Sequence, residues 1–115
     1  MFTDRYELTM VSAALRDGTA HRPCTFEVFA RRLPDGRRFG VVAGTGRVVD
    51  ALAEFRFGDE QLRALADAVD ADTLDWLRDY RFSGSIDGYR EGELFFPGSP
   101  ILSVRSTFAE AVLLE

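Results

Sequence analysis

The sequence predicts an α+β domain built on an antiparallel sheet. A helical pattern comes first, two strand patterns follow, and a longer helical region then leads to several short strands. The strands and helices do not alternate in the repeating βαβ order that builds a parallel sheet. With 115 residues, 46% of them apolar and 29% charged, the chain has the size and composition of one globular domain with a single core.

The first element is predicted to be a helix over residues 4–17. Apolar residues recur on one helical face, at Leu8, Val11 and Leu15. Asp4 and Glu7 have the spacing of a capping box, in which Asp4 is the N-cap and the Glu7 side chain reaches back to it. Gly18 is expected to end the helix in the left-handed conformation.

Two strands are predicted next, over residues 25–30 and 39–43. Both are rich in β-branched and aromatic residues, and the first alternates. Between them Pro34-Asp35-Gly36 is typical of a tight turn, since proline presets its φ and glycine accepts a positive φ. The two strands are therefore expected to pair as a β-hairpin.

Residues 47–80 carry helical patterns broken near Gly58. Asp59 is expected to cap one of these helices, and Asp72 or Thr73 the next. The aromatic residues of this region and of the later strands are expected to form the core rather than a stacking surface: Phe55, Phe57, Trp76, Tyr80, Phe82, Phe95 and Phe96.

The last third predicts short strands over residues 85–89, 93–96 and 101–105. Residues 108–115 then begin a helix that stops after about two turns without a capping residue. A self-contained domain is expected to end in a cap or a polar tail. The sequence therefore favours a polypeptide that continues past this helix.

Charge and residue content exclude several classes of function. The formal net charge is −5, so neither nucleic acid nor a membrane is an expected partner. There is one cysteine and one histidine, Cys24 and His21, which rules out a disulfide, a Cys/His zinc site or a Ser-His-Asp triad with a second histidine within the chain. These two residues could pair, or Cys24 could be a small buried thiol beside a solvated histidine. Without a membrane span or a signal peptide, the predicted location is the cytoplasm.

Three motifs are candidates for binding an anion or a cation, and each has a plainer alternative. Gly44-Thr45-Gly46 could cradle a phosphate but lacks the lysine of a P-loop, so an ordinary strand-to-helix turn is the alternative. Four arginines flank the predicted turn and could hold phosphate bidentately, or could form a solvated hairpin tip: Arg31, Arg32, Arg37 and Arg38. The acidic residues between Asp67 and Asp79 lack the spacing of a calcium loop and favour a solvated helix face.

Tyr6 lies beside the positive end of the first predicted helix. Backbone N–H groups there favour a small anion, and a tyrosine ring can stack on a planar ligand. The alternative is a half-buried packing residue. The residues by themselves leave both interpretations open.

Five stretches together resemble the nicotinate phosphoribosyltransferase family, in order and with the spacing kept. They are Thr3-Asp4-Arg5-Tyr6-Glu7-Leu8-Thr9-Met10, Phe26-Glu27-Val28-Phe29-Ala30-Arg31-Arg32-Leu33-Pro34, the region from Ala43-Gly44 through Asp50-Ala51-Leu52 to Phe55-Arg56-Phe57, Glu91-Gly92-Glu93-Leu94-Phe95-Phe96-Pro97-Gly98-Ser99-Pro100-Ile101-Leu102-Ser103-Val104, and Glu110-Ala111-Val112-Leu113-Leu114-Glu115. The resemblance covers essentially the whole chain. It implies a single N-terminal domain, residues 1–115, of a type II phosphoribosyltransferase that lacks the larger α/β barrel-like domain.

The family, by this resemblance, joins nicotinate to phosphoribosyl pyrophosphate to give nicotinate mononucleotide and pyrophosphate in NAD salvage. ATP hydrolysis drives the reaction through a phosphohistidine, and Mg²⁺ assists the pyrophosphate. The resemblance implies a homodimer or higher oligomer whose active site is shared across subunits. It implies that Tyr6 and Asp4 lie near the nicotinate ring and that Arg31, or alternatively Arg32, contacts phosphate.

The resemblance assigns no catalytic residue, no metal ligand and no bound ATP or Mg²⁺ to this chain by itself. His21 matches no catalytic position of the family. The chain by itself is therefore expected to be inactive. The alternative is a free-standing, non-catalytic binding or interaction domain that kept the fold.

Overall fold

A computed structural model describes residues 3–114 and confirms the predicted α+β class with antiparallel sheets. Five helices are described: α1 Arg5–Asp17, α2 Thr45–Glu54, α3 Asp59–Leu65, α4 Ala71–Asp79 and α5 Phe108–Val112. Five strands are described: β1 Pro23–Val28, β2 Gly40–Val41, β3 Ser85–Gly88, β4 Leu94–Phe95 and β5 Leu102–Thr107. The helix expected over residues 108–115 is α5, and Glu115 lies outside the described residues.

The larger sheet has three strands in the order β1-β5-β3, all antiparallel. Its register sets Phe26 and Ile86 on either side of Val104, so one face carries an apolar row. The opposite face is polar, and an exposed ion pair joins Arg105 to Asp87 there. Because side chains alternate along a strand, this sheet has one face for the core and one for solvent.

The predicted hairpin between the first two strands is wrong. The turn itself forms, since Arg37 N–H donates to the Pro34 carbonyl at 3.0 Å and Gly36 has φ = 80°. The strands, however, take other partners: β1 pairs with β5, and β2 pairs with β4. The apolar row of β1 finds a matching row on β5. The chain just after β1 bonds to the segment before β5, where Gly98 N–H donates to the Ala30 carbonyl at 2.9 Å, so the local turn does not set the strand pairing.

The smaller sheet consists of β2 and β4 alone. Gly40 lies opposite Phe95, and a Cβ atom at Gly40 would stand 2.3 Å from the tip of the Phe95 ring. Glycine is therefore required at this position for the ring to lie across β2. Beyond the pair, Val42 N–H donates to the Glu93 carbonyl at 2.9 Å and continues the ladder.

The core lies where α1 packs against α4 and α5, with α3 beside α4. Its buried members come from these helices and from the loops between them: Leu8, Val11, Ala14, Ala20, Phe57, Leu62, Leu65, Leu77, Tyr80, Ala109, Val112 and Leu113. Backbone bonds hold α5 in place, as Ala109 N–H donates to the Ala20 carbonyl at 3.0 Å. The loop after α1 is thereby attached to the start of α5.

The helix ends follow the sequence signals in part. Gly18 ends α1 in the left-handed conformation, as predicted, with φ = 78°. Asp4 is the N-cap of α1 by backbone conformation, yet its side chain makes no capping bond, so the predicted capping box is wrong. The Glu7 side chain is only 2% exposed and turns into the protein instead of reaching back to Asp4.

The predicted caps of the two later helices are each displaced by a residue or more. Gly58, not Asp59, is the N-cap of α3. Asp70, rather than Asp72 or Thr73, is the N-cap of α4, and it accepts a bond from Thr73 N–H at 2.9 Å. The cap falls at Asp70 because the same carboxylate also accepts from α1, which anchors the start of α4.

Asp70 receives three further donors besides this backbone group. They are the Thr73 hydroxyl at 2.6 Å, the Ser12 hydroxyl at 3.1 Å and the Arg16 guanidinium at 2.8 Å. The bonds from Thr73, with the Arg16 bond after them, hold the pKa of Asp70 well below its usual range. One acidic residue of the run between Asp67 and Asp79 thus joins α1 to α4.

The aromatic core is confirmed for most of the residues that were expected to form it. Phe55, Phe57 and Trp76 all pack edge-on against Tyr80, with ring centroids 5.7 to 5.9 Å apart. Burial raises the pKa of the Tyr80 phenol to about 12. Phe95 and Phe96 contradict the expectation, because Phe95 lies across the two-stranded sheet outside this core and the Phe96 side chain is 56% exposed.

The molecule is elongated, at 48 × 27 × 26 Å, with a radius of gyration of 15.9 Å. A compact chain of this length has a radius of gyration of about 13 Å. The difference arises because α2 contributes no buried residue and the two-stranded sheet stands apart from the helical core. We call β2, β4 and α2 together the arm.

Within residues 3–114, no helix combines the length and the apolar character that are needed to cross a membrane.

Leu77 offers a direct test of the core. Its side chain is fully buried between the helices, so Leu77→Ala should lower the free energy of unfolding by about 2–5 kcal/mol. Urea denaturation measures this difference. Val49→Ala, on the arm helix α2, is the matched control and should change stability by less than about 0.5 kcal/mol. Equal effects of the two substitutions would contradict the described core.

Candidate functional site

The first turn of α1 presents Tyr6 at the surface. The ring is 52% exposed, and the Tyr6 carbonyl accepts a bond from the Thr9 hydroxyl at 2.8 Å. Glu7, the next residue, points inward, so the two side chains leave the helix in different directions. Burial of Glu7 and Leu8 fixes the helix against the core and leaves Tyr6 facing outward.

Asp4 precedes this turn and is also exposed. Its carboxylate accepts no bond from the first turn of α1. A groove of about 300 Å³ lies nearby, and it is lined by Thr3 and by residues of α1 and α3, including Arg5 and Leu65. Neither Asp4 nor Tyr6 lines this groove, and both residues are exposed at the surface.

Arg31 lies in the irregular segment between β1 and β2, where it is exposed. Arg32, beside it, lines a groove of about 500 Å³ with Leu33, Pro34 and Asp35, and Arg31 does not. The ion pairs found within residues 3–114 use other arginines, namely Arg16, Arg78 and Arg105. The guanidinium groups of this segment are therefore not neutralised by an ion pair with a described acidic residue.

The Gly44-Thr45-Gly46 turn holds an anion, and that anion is the carboxylate of Glu91. Gly44 N–H donates to Glu91 Oε2 at 2.9 Å, Gly46 N–H donates to Oε1 at 2.9 Å, and the Thr45 hydroxyl donates to Oε1 at 3.2 Å. Gly44 has φ = 97°, which a residue with a side chain rarely adopts. The sequence alternative of an ordinary strand-to-helix turn is the one that the structure supports.

These bonds stabilise the charged form of Glu91. The pKa of its carboxyl lies below the usual value, chiefly because of the Gly46 and Gly44 N–H groups. A carboxylate of the same chain thus occupies the position that a phosphate occupies in a P-loop. The sequence could not reveal this, since Glu91 is distant in the chain from the turn that it closes.

His21 and Cys24 line one groove of about 620 Å³ at the end of the three-stranded sheet, and Arg105 lines it as well. His21 is exposed and Cys24 is partly buried. Burial raises the pKa of the Cys24 thiol, which disfavours the reactive thiolate. Of the two alternatives from the sequence, the geometry favours a partly buried thiol beside a solvated histidine.

Within the described part of the chain, no group of three His, Cys, Asp or Glu residues is arranged to hold a metal ion. The acidic residues near α4 serve structure instead, as Asp70 caps that helix and Asp75 pairs with Arg78.

The candidate contacts Tyr6, Asp4 and Arg31 thus lie on the surface of an α+β domain.

Comparison with known proteins identifies the family. The sequence-family model of the nicotinate phosphoribosyltransferase N-terminal domain matches residues 1–115. The chain therefore belongs to the nicotinate phosphoribosyltransferase family, which confirms the resemblance seen in the sequence.

Individual relatives agree with this assignment. The chain is 65% identical, over its full length, to nicotinate phosphoribosyltransferase pncB1 of Mycobacterium tuberculosis, and it covers 26% of that protein. It is 36% identical over 117 residues to nicotinate phosphoribosyltransferase of Bacillus subtilis and covers 24% of it. The crystal structure of human nicotinic acid phosphoribosyltransferase superposes with a TM-score of 0.88 at 33% identity, over 99% of this chain and 24% of the human chain. The chain thus spans about a quarter of the length of these relatives.

Glu91→Gln tests the closed turn. The folded pKa of Glu91 is lowered, so its contribution to stability is fully present above the ordinary pKa of 4.5 and is lost as the pH falls through the folded value. The variant should have a lower thermal midpoint near neutral pH and a weaker loss of stability on acidification.

Thermal unfolding followed by circular dichroism from about pH 3 to pH 7 measures both effects. Glu54→Gln is the matched control, because Glu54 is an exposed acid at the other end of α2. If the Glu91→Gln variant and the unchanged chain lose stability in parallel across this range, the Glu91 carboxylate does not close the turn in solution.

Proposed function

We propose that this chain is the N-terminal domain of a nicotinate phosphoribosyltransferase that works in NAD salvage. The enzyme would join nicotinate to phosphoribosyl pyrophosphate and release nicotinate mononucleotide and pyrophosphate, with hydrolysis of ATP. The observation that carries this proposal is the match of the whole chain to the N-terminal domain of that family. Since the relatives are about four times longer, the catalytic groups belong to their remaining part, and this chain supplies substrate contacts.

Tyr6 is the proposed contact to the nicotinate ring. Its exposed ring stands on a helix whose inner face is buried, so the orientation of the ring is fixed by the fold. A phenol ring can stack on the flat, electron-poor pyridine ring of nicotinate. Asp4 lies at the same helix end and is proposed to face the same ring. The positive end of the α1 dipole would stabilise the negative charge of its carboxylate there.

Arg31 is the proposed phosphate contact, with Arg32 as the alternative. A guanidinium offers two parallel N–H donors to a phosphate group. Arg31 is exposed and has no ion-pair partner among the described acids, which leaves its charge available for a ligand. Arg32 lines a groove beside it and could approach the same phosphate.

The proposal includes a dimer or higher oligomer with a shared site, and a cytoplasmic location. Surface presentation of Tyr6, Asp4 and Arg31 supports a shared site, because side chains on an outer face can reach into a neighbouring subunit. ATP and Mg²⁺ would be used by the complete enzyme. The described residues bring together no set of metal ligands, so the proposal gives this chain no part in holding Mg²⁺.

Tyr6→Ala tests the nicotinate contact. We consider a full-length polypeptide in which this chain replaces the matching quarter of the M. tuberculosis relative, to which it is 65% identical. The variant should raise KM for nicotinate roughly tenfold, since a stacked ring and its buried area contribute about 1.4 kcal/mol.

Steady-state formation of nicotinate mononucleotide measures this change. Tyr6→Phe is the matched control, because it keeps the ring and should stay close to the unchanged enzyme. The isolated 115-residue chain serves as the blank and should form no product. A KM for nicotinate that does not respond to Tyr6→Ala would assign Tyr6 to packing alone.

Arg31→Ala tests the phosphate contact in the same polypeptide. It should raise KM for phosphoribosyl pyrophosphate about tenfold to a hundredfold and leave KM for nicotinate nearly constant, because a bond to a charged group contributes about 1.5–3 kcal/mol. Arg31→Lys should recover part of the loss, because lysine keeps the positive charge but lacks the two parallel N–H donors of a guanidinium. Arg32→Ala is the decisive companion: a larger effect there than at Arg31 would transfer the assignment to Arg32.

A further inference from the structure

The carboxylate of Asp70 joins two helices, and each helix binds a different oxygen. Oδ1 accepts the Thr73 N–H at 2.9 Å and the Thr73 hydroxyl at 2.6 Å, and both bonds belong to the first turn of α4. Oδ2 accepts the Ser12 hydroxyl at 3.1 Å and the Arg16 guanidinium, whose Nε lies at 3.0 Å and whose Nη2 lies at 2.8 Å. Oδ1 is therefore sufficient to cap α4, and the bonds to Oδ2 hold α1.

The contact at Ser12 lies in the protein interior. Ser12 is 6% exposed and Thr73 is 0% exposed. Their hydroxyl oxygens lie 2.9 Å apart, within hydrogen-bond distance, in addition to the bonds that each makes to Asp70. A buried hydroxyl that loses its partner has no water to replace it, which makes such a loss costly. A shift of α1 along or about its axis would separate Ser12 from both partners, so this contact opposes the shift.

Apolar packing fixes the position of α1 less completely. The inner face of the helix packs in the core through Leu8, Val11 and Ala14. Apolar contacts are not directional, so they determine which face is buried more strongly than how far the helix lies along its axis. Hydrogen bonds weaken steeply away from their preferred geometry. In the described part of the chain, the side-chain hydrogen bonds that join α1 to another helix are those of Ser12 and Arg16.

The first turn of the same helix carries the proposed nicotinate contact. Tyr6 precedes Ser12 by six residues, which is about 9 Å along a helix axis. α1 is one uninterrupted helix, Arg5–Asp17, so a displacement at Ser12 is transmitted to the first turn. We infer that Asp70 is a positioning residue for the nicotinate site. Through Ser12 and Arg16 it sets the position of α1, and thereby the place where the Tyr6 ring meets the substrate.

Small displacements matter for such a contact, because a binding group has to lie within about 0.5 Å of its productive position. A misplacement of about 1 Å caused by a distant substitution can lower the rate about a hundredfold. The inference rests on the proposed function of Tyr6. It predicts that removal of the α1 bonds weakens the use of nicotinate while α4 keeps its cap.

The test removes the two donors on α1 and leaves Asp70 in place. Ser12→Ala and Arg16→Ala are combined in the 115-residue chain and in the full-length polypeptide completed with the M. tuberculosis relative. Arg78→Ala is the matched control, because it also removes an exposed arginine–aspartate ion pair, but one with Asp75 inside α4.

Backbone amide NMR spectra of the 115-residue chain report the position of the helix. The double variant should shift the resonances of Tyr6 and Glu7, although both residues lie more than one helical turn from Ser12. Arg78→Ala should leave these two resonances unchanged. If the double variant moves only the resonances next to the substituted residues and around Asp70, the inference is overturned.

Asp70→Asn replaces the double variant if that variant does not fold. Asparagine is as good an N-cap as aspartate and keeps one oxygen for α4. Its amide nitrogen is a donor and cannot accept the bonds from Arg16. The same resonances and the same outcomes then decide.

Steady-state kinetics of the full-length polypeptide give the functional readout. The double variant should raise KM for nicotinate about three- to tenfold and leave KM for phosphoribosyl pyrophosphate nearly unchanged, because it displaces the Tyr6 ring and not Arg31. Arg16→Lys, with Ser12 retained, should stay closer to the unchanged enzyme, since lysine still donates a charged bond. An equal rise of both KM values would indicate a general loss of structure and overturn the inference.

Failure of the proposed function is seen separately, in Tyr6→Ala. If Tyr6→Ala raises KM for nicotinate and the double variant does not, the positioning role of Asp70 is overturned and the nicotinate contact stands. If Tyr6→Ala itself has no effect, the nicotinate contact is refuted, and the amide resonances of the first turn still decide whether Asp70 sets the position of α1.

Discussion

The pairing of β1 with β5 is the interaction on which the rest of the structure depends. It joins the strand that follows the first helix to the strand that precedes the last one, from Pro23 opposite Thr107 to Val28 opposite Leu102. Closing so long a loop costs chain entropy, which the buried row along Leu102 and Val104 and the packing of α5 on α1 offset. Once this pair forms, α5 lies against α1, and β3 has an edge of β5 on which to add.

The molecule divides into a compact body and an arm because its first two strands belong to different sheets. Of the described strands, β1 pairs only with β5, and β2 pairs with β4 instead of adding to the open edge of β1. The arm has almost no core of its own: α2 buries nothing, and Glu91 ties its start to the turn before β4 through backbone N–H groups. Polar bonds thus hold the arm together, while most of its large apolar side chains remain exposed.

Surface presentation is common to every candidate functional residue. Tyr6 and Asp4 stand at one helix end, and Arg31 stands in the segment that leads to the arm. The glycine turn at Gly44 and Gly46, which was the candidate phosphate site, is filled by the chain's own Glu91 carboxylate. The proposed substrate contacts therefore do not lie in an enclosed cavity of the described part of the chain.

Local signals in the sequence determined the elements of this protein and the family to which it belongs. Apolar periodicity located the helices and strands, Gly18 ended α1, and Pro34-Asp35-Gly36 formed its turn, because each depends on residues within a few positions. The stretches around Tyr6 and Arg31 identified the candidate contacts, whose roles stay predictions. Only the tertiary structure decided that β1 pairs with β5, that Asp70 caps α4 while binding Arg16, that Glu7 is buried, and that Phe96 faces outward. Each of these depends on a partner distant in the chain. The apolar row of a strand, or a single carboxylate, does not by itself indicate which of several distant residues it will pack against or bind.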